Sequence, residues 1–211
     1  MPEFPLIMNR AVGANLNGTP ALCGGYSTSY SEKCYKLTNG GWQECASMKK
    51  KRLLAAGAMH DQKLHVFGGS DGSPLKTSEI ISVDGGVEYG PDLPTAMWMF
   101  SITAINETVS ILSGGMTNAD HYTAETWFDN DESKVVSSGP NLLEARREHS
   151  SATIVDKETK AKIPIVTGGW REGSPSTMRS SELLIDGIWQ SGTIQCPKMA
   201  TLFQKGIAFS K

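Results

Sequence analysis

Apolar residues in this chain come in short runs, many alternating with polar ones, and the runs are punctuated by Asn-Gly, Asp-Gly and Gly-Gly steps. A period of two, broken by such turn residues, predicts short strands joined by tight turns. The first repeat gives strands over 11–16, 20–25, 32–37 and 42–46, with turns at Asn17-Gly18 and Asn39-Gly40-Gly41. Asn-Gly readily supplies the positive φ that a two-residue hairpin needs. The second gives 54–60, 64–69, 79–83 and 87–89, turning at 61–63 and at Asp84-Gly85-Gly86. The third gives 100–105, 109–115, 125–128 and 134–137, and the fourth 150–155, 163–169, 182–185 and 188–191. The one helix-like stretch, 141–149, falls where the other repeats have a connection.

Four glycine doublets set the repeat: Gly24-Gly25, Gly68-Gly69, Gly114-Gly115 and Gly168-Gly169, spaced 44, 46 and 54 residues apart. Each closes an apolar run, and each is followed by a small residue and a glutamate: Ser31-Glu32, Ser78-Glu79, Ala124-Glu125 and Ser181-Glu182. Four short strands (a to d) recurring at this period are the pattern of propeller blades. The expected organisation is one array over 1–211, with blades at about 11–48, 49–94, 95–142 and 143–197 and the start of a fifth at 198–211. An open array leaves unpaired strand edges, so the chain is expected to be part of a longer propeller, with a four-bladed closure or self-association as the alternatives.

These residues resemble the kelch repeats. In that family a glycine doublet ends strand b, a Ser-Glu step leads into strand c, and a Tyr is followed seven positions later by a Trp in strand d. Tyr35 and Trp42 match fully, Phe128 and Val135 keep the spacing, Trp189 follows a shortened turn after Ile185, and the second repeat lacks the Trp. The resemblance implies an all-β, kelch-type β-propeller whose doublets supply special backbone conformations and whose aromatics fill the space between blades. Kelch propellers usually close with six or seven blades, which bears on closure of this array and leaves the blade type unaffected.

Strand alternation puts the a–b and c–d turns at one end of each sheet and the b–c and d–a connections at the other. The connection end carries Tyr26, Arg52, Trp98, Tyr122, Arg147, His149, Trp170 and Arg171, with Arg146 and Arg179 nearby. Trp, Tyr and Arg most often carry binding energy at interfaces, so this end is the expected ligand-binding face. Trp170 and Arg171, directly after a doublet, are its sharpest members. The alternative places some of these side chains between blades or in solvent.

Acidic and basic residues nearly balance, 22 against 20, so no overall field directs the chain to nucleic acid. No apolar run reaches the roughly 18 residues that suggest a membrane-spanning helix. Gly68-Gly69-Ser70-Asp71-Gly72 fits a hydrolase nucleophile elbow in letters, but that elbow needs a following helix. His60 and His65 across a hairpin lack a third ligand nearby in sequence and read as surface or edge histidines. Asp129, Asp131 and Glu132 read as turn residues rather than a calcium site, and the run Lys49 to Arg52 as a solvated rim. A copper-oxidase set of tyrosine, histidine and modified cysteine cannot be matched, so no metal, cofactor or catalytic residue is expected.

Of the four cysteines, Cys23, Cys34, Cys45 and Cys196, the first two fall in one repeat on strands expected to pair. Opposed Cα atoms suit a cross-strand disulfide; two buried thiols are the alternative. A disulfide would imply an oxidising compartment. Asn17-Gly18-Thr19 and Asn106-Glu107-Thr108 are glycosylation sequons, both in a–b turns. The leading expectation is a non-catalytic, secreted or cell-surface module binding a protein or glycan. The alternatives are an intracellular substrate adaptor of a ubiquitin-ligase assembly, which would need further regions, and a sugar-modifying propeller enzyme.

Overall fold

The computed structural model describes residues 3–117, 121–156, 158–173 and 176–192, and among them no helix occurs. The chain divides into two compact units, Met1–Trp98 and Met99–Lys211, each holding two four-stranded sheets. In the first unit one sheet has the order β1 (Val12–Leu16), β2 (Thr19–Cys23), β3 (Lys33–Thr38) and β4 (Gly41–Ser47). The other has β5 (Ala56–His60), β6 (Lys63–Phe67), β7 (Ser78–Ile81) and β8 (Val87–Tyr89), followed by the two-residue β9 (Met97–Trp98). In the second unit one sheet has β10 (Ser101–Ala104), β11 (Val109–Ser113), β13 (Thr126–Asn130) and β14 (Val135–Ser138), with β12 (Met116–Thr117) outside it. The last sheet has β15 (Ser150–Val155), β16 (Lys162–Thr167), β17 (Ser181–Ile185) and β18 (Ile188–Gly192). Every strand pairs antiparallel with its sequence neighbour in the sheet, so each sheet is a simple meander. The sixteen strands of the four-stranded sheets are those that the alternation predicts, the two-residue β9 and β12 are additional, and the proposed fifth start at 198–211 lies outside the described residues.

The helix-like stretch 141–149 is an extended connection instead. Its amides are taken by distant acceptors: Leu142 donates to the Ala124 carbonyl, Arg146 to that of Thr123 and Arg147 to that of Trp170. Leu143 and Glu144 donate to the Glu182 carboxylate. None of these groups is left for an i to i−4 ladder, so tertiary bonding overrides local propensity.

Cores form between consecutive sheets within each unit. In the first, Val12, Leu16, Cys23 and Cys34 from one sheet meet Leu64, Val66 and Ile81 from the next, with Met48 and Ala55 from the connection between them. The sheets approach closely enough that a side chain on Gly57 would meet Val12 Cγ1 at 2.5 Å. In the second, Trp189 of β18 lies buried against Ile111, Leu142 and Val166, which fits the expectation that strand-d aromatics fill the space between sheets. Tyr35 and Trp42 pack edge-on against Phe4, at 5.2 and 5.0 Å between ring centroids.

The doublets join each sheet to the connections beside it. The second glycine donates to a carbonyl of the connection leaving its own sheet: Gly25 to Arg52 and Gly69 to Met97 in the first unit, Gly115 to Arg146 in the second. The residue after that connection carbonyl then pairs with the residue after the next doublet, as Leu53 does with Ser70 and Arg147 with Trp170. At Gly24 both reasons for glycine coincide: φ is +69°, and a Cβ would stand 2.5 Å from the Arg52 carbonyl oxygen. Gly18 shares the positive φ, +78°, but has nothing within 4 Å of a Cβ. Gly18→Ala therefore costs the backbone strain alone, roughly 1 kcal/mol, whereas Gly24→Ala adds a backbone clash and costs about 3 kcal/mol or more. Urea unfolding followed by tryptophan fluorescence checks this ranking, and equal midpoints for the two variants would contradict it.

Candidate functional site

Two arginines expected on the binding face are structural. Arg52 is 1% exposed, and its Nη2 lies 2.9 Å from Glu79 Oε1. Its Nη1 donates to the carbonyls of Gly68 and Thr77, both at 2.7 Å, tying the doublet to the start of β7. Glu79 also accepts the amides of Lys49 and Lys50. Arg146 repeats the arrangement in the second unit: Nη2 to Glu182 Oε1 at 2.7 Å, Nη1 to the carbonyls of Gly168 and Ser180, and Glu182 accepting Leu143 and Glu144. Arg52 is thus removed from the ligand face, because its charge is satisfied internally. The Lys49 to Arg52 run is likewise only partly a solvated rim. Burial pulls the Arg52 guanidinium below its ordinary pKa, and Glu79 opposes that shift.

The corresponding position in the other two repeats holds methionine. Leu54 and Glu148, two residues after these arginines, take a positive φ, and so do Arg10 and Met99, which places Met8 and Met97 in register with Arg52 and Arg146. The strand-c glutamates of those repeats differ accordingly: Glu32 is only partly buried and Glu125 is exposed.

His149 is also withdrawn from the face. It is 1% exposed, and its Nε2 lies 2.7 Å from Ser101 Oγ and 3.1 Å from Ser113 Oγ, which lie 3.0 Å from each other. Its side chain stands over two doublets, with Cε1 2.8 Å from where a Cβ on Gly114 would lie and Cβ 2.8 Å from one on Gly169. Burial first, and the positive Arg146 second, lower its pKa from the usual 6.5 to about 3. His60 and His65 are buried as well, with their rings edge-to-face at 5.1 Å, so the expectation of surface histidines is corrected. His60 closes β5 and His65, on β6, stands opposite Ala58, in a hairpin most of whose residues are buried.

The remaining predicted residues of the second unit come together at the connection end. Arg147 lies over the Tyr122 ring at 5.1 Å and donates from Nε to its hydroxyl at 2.9 Å. The Trp170 backbone is held on both sides, bridging to Arg147 and to Thr177. Arg171 Nη1 reaches Glu144 Oε1 at 3.1 Å, and Glu144 Oε2 accepts Ser180 Oγ. A cleft of about 450 Å³ opens here, lined by Glu144, Arg171, Thr177, Met178, Arg179 and Ser180. Arg179 belongs to the expected connection-end arginines, whereas Glu144 and Ser180 are residues that an aromatic-and-arginine pattern alone does not single out. In the first unit Tyr26 is exposed beside Tyr30, with ring centroids 5.7 Å apart, and Trp98 is half-buried.

Other sequence features resolve locally. Ser70 is 4% exposed and bridges to Leu53 and Pro74, with no helix after it, so the elbow-like letters form a bridged loop. Asn130 Oδ1 accepts the amides of Glu132 and Ser133, so Asp131 and Glu132 are turn residues as expected, whereas Asp129 is not: it lies buried within β13, paired across to Ser110 and Val136. Among the described residues, no group of three or more His, Cys, Asp or Glu stands together as metal ligands, and no helix is long and apolar enough to cross a membrane. Cys23 and Cys34 are directly opposed on β2 and β3 and form a disulfide. Cys45 is a free thiol, and Cys196 lies outside the described residues. Asn17 and Asn106 are exposed in their turns.

The chain matches no protein-family model and no curated protein sequence. It is similar in structure to the solved protein titled "Structure of YjhT", with a TM-score of 0.74 and 10% sequence identity over 89% of this chain and 71% of that one. At that identity the likeness carries the fold alone: an all-β fold of four-stranded antiparallel sheets of the β-propeller kind.

Removing one partner of a buried ion pair leaves the other charge uncompensated, which costs about 3–5 kcal/mol. Glu79→Ala should therefore lower the urea midpoint strongly. Glu125→Ala, at the corresponding exposed position, should change stability by less than about 0.5 kcal/mol. A similar loss for both would show that the arginine is not the cause.

His149 adds a pH dependence of defined sign. The unfolded chain takes up a proton near pH 6.5 that the folded imidazole refuses until about pH 3. The stability this contributes is complete above pH 6.5 and is lost as pH falls toward 3. Between pH 7 and 5, above the usual carboxylate range, the urea midpoint should fall, and His149→Phe, which borrows the residue of the matching Phe100 position, should flatten that fall. An unchanged slope in the variant would rule the assignment out.

Proposed function

We propose that this protein is a non-catalytic binding module of the kelch-like type, taking a protein or glycan partner at the connection end of its sheets. The observation that carries this reading is the cleft beside Trp170. Its walls combine a cation pair, Arg171 and Arg179, with a carboxylate, hydroxyls and the Met178 thioether, a mixture suited to a polar partner with an apolar edge. Its floor is fixed from below, since Glu182 holds Arg146, Arg146 holds Ser180, Ser180 donates to Glu144, and Glu144 holds Arg171. A ligand meeting groups already held in place spends little free energy ordering them. Beside the cleft, Tyr122 stacked under Arg147 adds the residue types that dominate interfaces.

The catalytic alternative has less support. The Ser101, Ser113 and His149 contact is enclosed, and among the described residues His149 Nδ1 has no hydrogen-bond partner to orient it as a base. The Cys23–Cys34 disulfide supports the secreted reading over the intracellular adaptor, because reducing compartments keep thiols free.

Selection against a glycan array and a displayed peptide library would supply ligands. The double variant Trp170→Ala, Arg171→Ala should weaken those ligands at least about tenfold, as expected for loss of interface anchors. Glu132→Ala at the opposite end should leave affinity unchanged. Ligands bound equally well by the double variant and the wild type would overturn the assignment of the face.

A further inference from the structure

We propose that Asn17 and Asn106 both carry N-linked oligosaccharides, so that this chain is a glycoprotein with its sugars at the turn end of the first and third sheets. The sequence holds these two Asn-x-Thr sequons and no other Asn-x-Ser/Thr. Both occupy the same place in the repeat, the tight and exposed a–b turn.

The local geometry leaves each acceptor amide free for a bulky substituent. Asn17 and Gly18 take φ of 48° and 78°, a two-residue turn between Leu16 and Thr19 that points its side chain off the sheet. Asn106 turns its amide oxygen inward, where Oδ1 accepts the amides of Thr108 at 2.9 Å and Val109 at 2.7 Å. A planar carboxamide with its oxygen committed to the turn directs Nδ2 the other way, toward solvent. Among the described residues, a glycan on either nitrogen breaks no hydrogen bond.

The second line of support is independent of the sequons. The Cys23–Cys34 disulfide is wholly buried and requires an oxidising compartment to form, and in cells with a secretory pathway that compartment is where N-glycans are attached. In the transfer, Nδ2 loses a proton and bonds to the anomeric carbon of an oligosaccharide. The bond from that carbon to the pyrophosphate of its lipid carrier breaks, and the lipid pyrophosphate leaves. Sugars at the turn end would leave the connection end open to a partner.

The test expresses the whole chain behind a secretion signal in a eukaryotic host and treats both the secreted and the cell-associated protein with peptide N-glycosidase. Two discrete downward steps in mass are expected, with conversion of Asn17 and Asn106 to Asp in the released protein. Thr19→Ala and Thr108→Ala should each remove one step without altering the positive-φ residue of a turn. Protein from the cell-associated pool that the enzyme leaves unchanged, or steps that persist in both variants, would overturn the proposal.

Discussion

The fold depends on carbonyl groups of the d–a connections reaching amides that only glycine can present to them. Each connection must satisfy its own backbone groups while running between two sheets, with no helix or ladder to do so. Its solution is to place one carbonyl on the second glycine of the preceding doublet and to pair the next residue across the following one, as Arg52 and Leu53 do with Gly25 and Ser70. Any side chain on Gly24 would collide with that carbonyl. The doublet is therefore both a conformational device and a socket, and its recurrence follows from the recurrence of the connection.

Buried charge strengthens the same junction in two of the four repeats. Arg52 and Arg146 cross from the connection to the first doublet carbonyl and to the strand-c glutamate, and the glutamate accepts two further hydrogen bonds from connection amides. Such a group is costly to bury unless every lone pair and proton is engaged, and here most are. Its contribution is best understood as fixing where the connection lies. The methionine repeats form their sheets without it, and there Glu125 turns out to solvent.

Strands, turns, the disulfide and the period were legible because they are local or repeat at fixed spacing. Alternation and Asn-Gly steps mark the hairpins, and two cysteines in one repeat report the register Cys23 to Cys34. The role of arginine was not legible. Arg52, Arg146, Arg147 and Arg171 all lie in loops and look alike in sequence, yet the first two are interior ion pairs and the last two line the exposed face. His149 was misjudged for the same reason: its burial is set by Ser101 and Ser113, 48 and 36 residues away. The 141–149 stretch was legible as a connection from its place in the repeat, and its amides bond to distant chain although its local pattern is helix-like.

A physical rule separates these arginines after the fact. The interior ones sit two residues before the positive-φ position of the connection, where the side chain is aimed at the doublet and at the strand-c carboxylate. Arg147 is one residue later, on a segment pairing with Trp170, and its side chain is turned the opposite way, onto Tyr122. In an extended segment neighbouring side chains alternate between faces. One position decides whether a guanidinium supports the junction or lies on the face, and Arg146-Arg147 uses both. The interior member then holds Ser180, and through it Glu144, so the element that fixes the connection also orders the walls of the cleft.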